Sequence, residues 1–492
     1  MYPSPIIHGF NPDPSILRVG DDYYLVNSTF EYQPGIPIHH SRDLKSWTKI
    51  SHVVTRSTQA DLTQTPTPGG AWAPVIRQHN GMFYVAVTYM FDNRTMIYSA
   101  ADPAGPWSDG VRVDVKGIDP DLAWDENGDC YLTFSGLNVN EDLSGHQAIT
   151  QVQINLETGE KLEEVRSLWQ GSGGMFPEGP HLYKIGDWWY LLTAEGGTDR
   201  GHLVAFGRSR SIRGPFENNP NNPVLTARSS NSSVQNKGHG DMVQLVDGSW
   251  AMVFLGVRTR GLTKGYSPLG RETFMTPVEW VDGWPVGQNI EADPAEKSPA
   301  FEDDFHASGL NLEWIGVRRF PEEFAEFAEG SVTLRGEGRD LDHSLPTYLC
   351  KRQQILLGTF TAKLQVAGRA GISVRYNEDA HYDLEVSEGK IYARFRVVGM
   401  TTESEALELP AGDQPIRLYA RFWQTEFAFN AARVSPDQIE LGYQAADGTN
   451  VVVANYDGRY LSSEVNSSFT GRAIGVYCVS GSVQILEVSE PA

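Results

Sequence analysis

The 492-residue chain carries 62 acidic against 40 basic residues, a formal charge of -22, which repels phosphate backbones and anionic lipid and counts against nucleic acid or a membrane as partner. With 40% hydrophobic and 21% charged residues the composition is that of a globular protein, and at roughly 100–200 residues per domain it predicts at least two domains. No apolar run approaches the roughly 18 residues that a membrane span needs. The start, Met1-Tyr2-Pro3-Ser4-Pro5, lacks the basic and apolar regions of a signal peptide. The three cysteines, Cys130, Cys350 and Cys478, are odd in number and have no metal-ligand spacing. Both features give the expectation of a cytoplasmic protein, and homo-oligomerisation is left open.

In chain order, one pattern recurs from the start to about residue 290. Each copy opens on a small or acidic residue, runs through an apolar strand and a tight turn, and reaches an aromatic-rich second strand. Gly20-Asp21-Asp22, Asn80-Gly81, Asp125-Glu126-Asn127-Gly128, Gly186-Asp187 and Asp247-Gly248 are the hairpin signals. Tyr23–Val26, Phe83–Ala86 and Trp188–Leu192 are strand formers directly after such turns. Ser41–Trp47, Ala101–Trp107 and Ser209–Phe216 close three of the copies in similar ways. The aligned openings are Asp13, Ala73, Asp119, Gly179 and His239. Five copies of four strands predict a five-bladed β-propeller over residues 1–292, whose openings converge on one axial pocket. Residues 293–300, rich in Pro, Ala and charge, read as a linker. From 301 to 492 short alternating runs such as Ile372–Tyr376 and Ile391–Phe395 predict a β-sandwich, so the chain as a whole is expected to be all-β.

Three carboxylates fall on or beside the blade openings. Asp13 is flanked by Pro12 and Pro14, which restrict its backbone and remove competing donors. Asp119 holds the same register two copies later, and Glu178 stands one place before the opening Gly179. Like charges in a confined pocket raise one another's pKa, a cost that suggests use. One protonated and one ionised carboxyl are what glycosidic-bond cleavage requires. His239 completes the ring and offers an imidazole to a metal or a sugar hydroxyl. Arg271 could fork onto vicinal hydroxyls or pair with the adjacent Glu272. Phe30 and Trp72 offer flat apolar faces to a sugar ring, or pack between blades.

The motifs around Asp13, Trp72, Asp119, Glu178, His239 and Arg271, in this order and spacing, resemble glycoside hydrolase family 43 over nearly the whole chain. From Phe301-Glu302-Asp303-Asp304-Phe305 onward the sequence is similar to the concanavalin-like, jelly-roll sandwich appended to the β-xylosidase and α-L-arabinofuranosidase branch. The resemblance implies an inverting mechanism with Asp13 as general base, Glu178 as general acid and Asp119 as the residue that tunes and orients the acid. It places Phe30, Trp72, His239 and Arg271 around the terminal sugar and implies a calcium ion at His239 on the axis. It also sends Phe469 of the sandwich into the pocket mouth, which admits only a chain end. After Phe30-Glu31-Tyr32 the chain has Gln33 where the β-xylosidases would carry an aromatic residue. The expected activity is therefore exo-release of α-L-arabinofuranosyl units from arabinoxylan- or arabinan-type oligosaccharides, with β-D-xylosidase as the alternative. A non-catalytic sugar-binding propeller is the reading from another class.

Overall fold

A computed structural model describes residues 2–92, 94–139, 147–261, 265–293, 298–409, 414–425, 437–466 and 468–491. The first part of the chain forms five antiparallel sheets, each built from strands in sequence order, with blade one passing over the short strand Tyr32–Gln33. Blade one spans Ser15 to Val54, blade two Gly70 to Val113, blade three Gly117 to Trp169, blade four Glu178 to Thr226 and blade five Val234 to Gly287. Blade four gains a short extra strand, Leu225–Thr226, beside Leu203–Ser209. The hairpins lie where turn chemistry puts them. Asn80 and Gly81, both at positive φ, link His79 to Met82 as a two-residue turn that follows the strand twist.

The second strand of each blade is apolar on both faces because a blade is covered on both sides. In blade two, Val85 and Val87 pack towards blade one while Ala86 packs towards blade three. In blade five, Met252 and Phe254 face blade four, and Ala251 and Val253 face blade one. One hydrophobic cluster therefore fills each seam of the ring. The last seam also takes Ile6 and Ile7, whose segment bonds to Thr273 of blade five, so the N-terminal residues close the circle.

The C-terminal part encloses its own core around Phe360, Ile372, Tyr382 and Ile474. Instead of two separate sheets, thirteen of its described strands form a single hydrogen-bonded network. The long strands Gly358–Asn377 and Ala473–Glu490 cause this, because they pair with each other through a register shift at Arg369/Ala370 and each carry partners from both layers. A bulge bends a strand and lets it pass from one layer to the other.

The two parts share a polar seam. Tyr32–Gln33 of blade one pairs with Gly316–Val317 of the sandwich. Buried Arg318 donates to the Thr65 carbonyl at 2.5 Å and to Thr67 Oγ1 at 2.6 Å, and pairs with Glu378 at 3.1 Å. Gln33, which stands where the β-xylosidases would carry an aromatic residue, is turned away from the pocket. Its buried amide donates to the Ala60 carbonyl at 3.0 Å, because its strand is committed to the sandwich.

Candidate active site

All five blade openings adopt the same backbone conformation: Asp13, Ala73, Asp119, Gly179 and His239 have φ of 53, 41, 57, 55 and 48°. In blades two to five a register shift follows within the same inner strand. Left-handed residues are costly for side chains other than Gly, Asn and Asp and mark positions held by their surroundings. Here each one turns the start of an inner strand towards the axis, and the five together line one narrow floor.

Above that floor lies a cavity of about 300 Å³ lined by Asp13, Phe30, Trp72, Ile118, Asp119, Phe176, Glu178, Thr198, His239, Arg271 and Phe469 among others. Every residue proposed from sequence for catalysis or substrate contact is in this set. Phe30 and Trp72 meet edge-on at 6.1 Å, and Trp72 and Phe469 at 5.1 Å. The Arg271 guanidinium stands 5.7 Å from the Phe30 ring and 5.6 Å from the Phe469 ring. Phe30 can take its place, at φ 52°, because Gly70 leaves room: a Cβ on Gly70 would lie 2.0 Å from the Phe30 carbonyl oxygen. Phe469 arrives from the sandwich on a segment that Tyr376 OH ties through the Ser468 and Thr470 carbonyls, at 3.2 and 3.3 Å. Arg271 Nη2 donates to the Phe469 carbonyl at 2.9 Å.

The carboxyl groups have unequal surroundings. Asp13 Oδ1 accepts from Arg271 Nη1 at 3.0 Å, and Oδ2 accepts from Ser28 Oγ at 2.6 Å. Burial works to raise its pKa, but Arg271, His239 and the Ser28 hydrogen bond outweigh it, so Asp13 sits below the ordinary aspartate range. Glu178 has no such support. Burial first, then the negative charges of Asp119 and Asp13, push it well above the glutamate range against the weaker pull of Arg271. Asp119 is also raised, chiefly by burial. The Gly179 N–H donates to it at 3.0 Å and His239 favours its charged form. Of this pair the proton therefore belongs on Glu178.

Packing also explains why the carboxyl of blade four is offset by one residue. The His239 ring lies against Gly179, where a Cβ would stand 3.1 Å from Nε2. A side chain at this opening would press on the ring, so glycine suits it, and the acid comes from the residue before it. Arg271 pairs with Asp13, not with Glu272, which is held by Arg258 at 2.7 Å.

Asp119, Glu178 and His239 bring one ligand atom each within 4.8 Å of one another. Calcium takes about six to eight oxygen ligands. This trio supplies two carboxyls and a nitrogen, and one carboxyl is the group most favoured to keep its proton. A calcium ion at His239 would need most of its ligands from outside this trio, and no step below runs through a metal.

Beneath the floor is a layer that the motif reading missed. Two residues after the openings stand Ser15, Asp121, His181 and Asp241, bridged by Arg77. Arg77 pairs with Asp121 at 2.8 Å and Asp241 at 2.9 Å, while Tyr183 OH and Ser15 Oγ donate to Asp241 at 2.5 and 2.7 Å. Arg77 thus offsets part of the negative charge of the two buried carboxylates, and the hydroxyl donors satisfy Asp241. The signal was present as the same five-fold register shifted by two, the next position on the inner face of a strand. Breaking a buried charge network from one side leaves the other charges unpaired. Arg77→Leu is expected to destabilise the fold by about 3–5 kcal/mol, read as a lower midpoint in chemical denaturation. A change below about 1 kcal/mol would mean that the network contributes little.

A propeller with two electrically distinct carboxyl groups in a small aromatic-walled pocket defines a glycoside hydrolase. Residues 2–285 match glycosyl hydrolases family 43, and residues 302–485 match the β-xylosidase C-terminal concanavalin A-like domain. The chain belongs to glycoside hydrolase family 43, whose enzymes invert the anomeric configuration. It is 36% identical to the non-reducing end alpha-L-arabinofuranosidase BoGH43B of Bacteroides ovatus, over 97% of this chain and 91% of that protein. It is 32% identical to a xylosidase/arabinosidase of Butyrivibrio fibrisolvens, over 97% and 95%. Among solved structures, a xylan beta-1,4-xylosidase from Bacillus halodurans C-125 superposes with a TM-score of 0.88 at 28% identity, covering 100% of both chains.

Proposed function

We propose that this enzyme removes terminal α-L-arabinofuranosyl units from the non-reducing ends or branches of arabinoxylan- or arabinan-type oligosaccharides. The observation that carries the exo reading is the closure of the pocket by Phe469, whose ring meets Trp72. A pocket of about 300 Å³ walled by Phe30, Trp72 and Phe469 accepts one ring rather than a running chain.

In this reading Asp13, ionised at neutral pH, takes a proton from a water molecule that attacks the anomeric carbon. Glu178 gives its proton to the departing oxygen, and inversion follows from attack on the face opposite the leaving group. Asp119 keeps the Glu178 proton in place by its negative charge. Arg271 holds Asp13 ionised and, with His239, is positioned to bind sugar hydroxyls. The leaving sugars pass Phe176 into an adjoining open groove of about 800 Å³ lined by Ile118, Gln147, Gln170 and Met175 among others.

β-D-xylosidase activity is the second reading. It is favoured by the mixed names of the relatives and by the fact that the two pentoses present similar hydroxyls at the cleaved end. Release of nitrophenol from the α-L-arabinofuranoside and the β-D-xyloside separates them. A higher kcat/KM on the arabinofuranoside is the expected result, the reverse order makes the enzyme a xylosidase, and no release from either removes this substrate class.

A further inference from the structure

We propose that Glu195 is a positioning residue for the general acid: its buried carboxylate clamps the loop 170–177 in the shape that aims Glu178 at the leaving oxygen. The proposal rests on the glycosidase reading above and adds a residue that lies outside the pocket.

Glu195 ends the second strand of blade four, Trp188–Glu195, and is fully buried. Among the described residues its contacts are N–H and O–H donors, not a cation. The Ser172 N–H donates to Oε1 at 2.6 Å, while Ser172 Oγ and the Gly174 N–H donate to Oε2 at 2.9 and 2.7 Å. Thr193 Oγ1 reaches Oε1 at 3.4 Å. The loop closes so tightly that a Cβ on Gly171 would lie 2.7 Å from Oε1, and one on Gly174 2.6 Å from Oε2. Two further ties hold the same loop. The Gly196 N–H donates to the Met175 carbonyl at 2.7 Å, and Ser135 Oγ donates to the Pro177 carbonyl at 2.7 Å.

A buried carboxylate is costly unless several donors satisfy it. Here the three close donors converge from a single loop, so the charge is well stabilised only while the loop keeps its shape. An acceptor-only group suits three converging donors; an amide would turn its own NH2 against one of them. The clamped loop runs directly into Glu178, the first residue of the inner strand of blade four. It also carries Phe176, at φ 55°, which lines both the catalytic pocket and the open groove. The loop is thus the partition between the sugar that is cleaved and the sugars that leave, and the acid stands at its end. Among the described residues Glu178 has no hydrogen-bonding side-chain partner to fix it, so its aim depends on the backbone that bears it.

Misplacing a reacting group by about 1 Å can cost on the order of 10²-fold in rate. A displaced acid harms only reactions that need a proton on the leaving oxygen. The test is Glu195→Gln assayed on a pentose-capped oligosaccharide and on the 2,4-dinitrophenyl glycoside of the same pentose, whose leaving group departs without protonation. The expected result is a fall in kcat of at least about 10-fold on the oligosaccharide, and of less than about 3-fold on the dinitrophenyl glycoside. The alkaline limb of the pH–rate profile should also move. Equal losses on the two substrates, or no loss on either, overturn the proposal. Should Glu195→Gln fail to fold, Ser172→Ala removes one donor from the loop side and must show the same split between substrates; its absence is equally decisive. A wild-type enzyme inactive on both substrates would instead refute the glycosidase reading, a different and separable outcome.

Discussion

Asp13→Asn is expected to lower kcat by roughly 10²–10⁴-fold, the range for loss of a general base, on every substrate whatever its leaving group. The variant should fold as the parent does. Asn keeps an oxygen for Arg271, and Ser28, which accepts from the Ala73 N–H at 2.7 Å, can also accept from the new amide. Only the basic oxygen is gone. Water must be deprotonated for a good leaving group as much as for a poor one, so activated aryl glycosides give no relief. Steady-state kinetics on both substrate types and a thermal melt check this. A variant retaining more than about a tenth of parental kcat removes Asp13 from the role of base.

Glu178→Gln is expected to give the complementary pattern. On oligosaccharides kcat falls by roughly 10²–10⁴-fold, whereas on a dinitrophenyl glycoside, which needs no proton, the loss is small. The pH dependence carries the sign. Asp13 must be ionised and lies below its ordinary range, so activity falls as pH drops through that low value and Asp13 takes up a proton. Glu178 must be protonated and is raised well above its ordinary range, so activity falls again on the alkaline side as its proton leaves. The two limbs report the coupled cluster as a whole. In Glu178→Gln the alkaline limb should vanish while the acid limb stays. An alkaline limb unchanged in the variant would assign that ionisation to another group.

The propeller and the convergence of Asp13, Asp119 and Glu178 on one pocket were legible from sequence because the signals are local and repeated. A turn such as Asn80-Gly81, an apolar strand such as Phe83–Ala86 and a Pro-flanked Asp13 each act within a few residues, and repetition aligns them. Once five openings are aligned, closure of the ring brings them together, and the positive φ shared by Asp13, Ala73, Asp119, Gly179 and His239 follows from that register. The sandwich was legible as a class of structure. That its strands join into a single network was not, because the bend at Arg369/Ala370 depends on packing.

Composition and repeat by themselves determined an all-β chain of two parts and the position of three acids on one axis. The tertiary structure alone decided what each acid experiences. Arg271 reaches Asp13 across 258 positions of sequence, and among the described residues no cation hydrogen-bonds to Glu178. Gln33 turns to Ala60 and not into the pocket. Arg77 bridges the two carboxylates beneath the site, and Glu195 clamps the loop before the acid. The physical reason is the same in each case. Backbone conformation is set by neighbours in the chain, whereas charge state and aim are set by distances of about 3 Å between segments that meet only when the ring has closed.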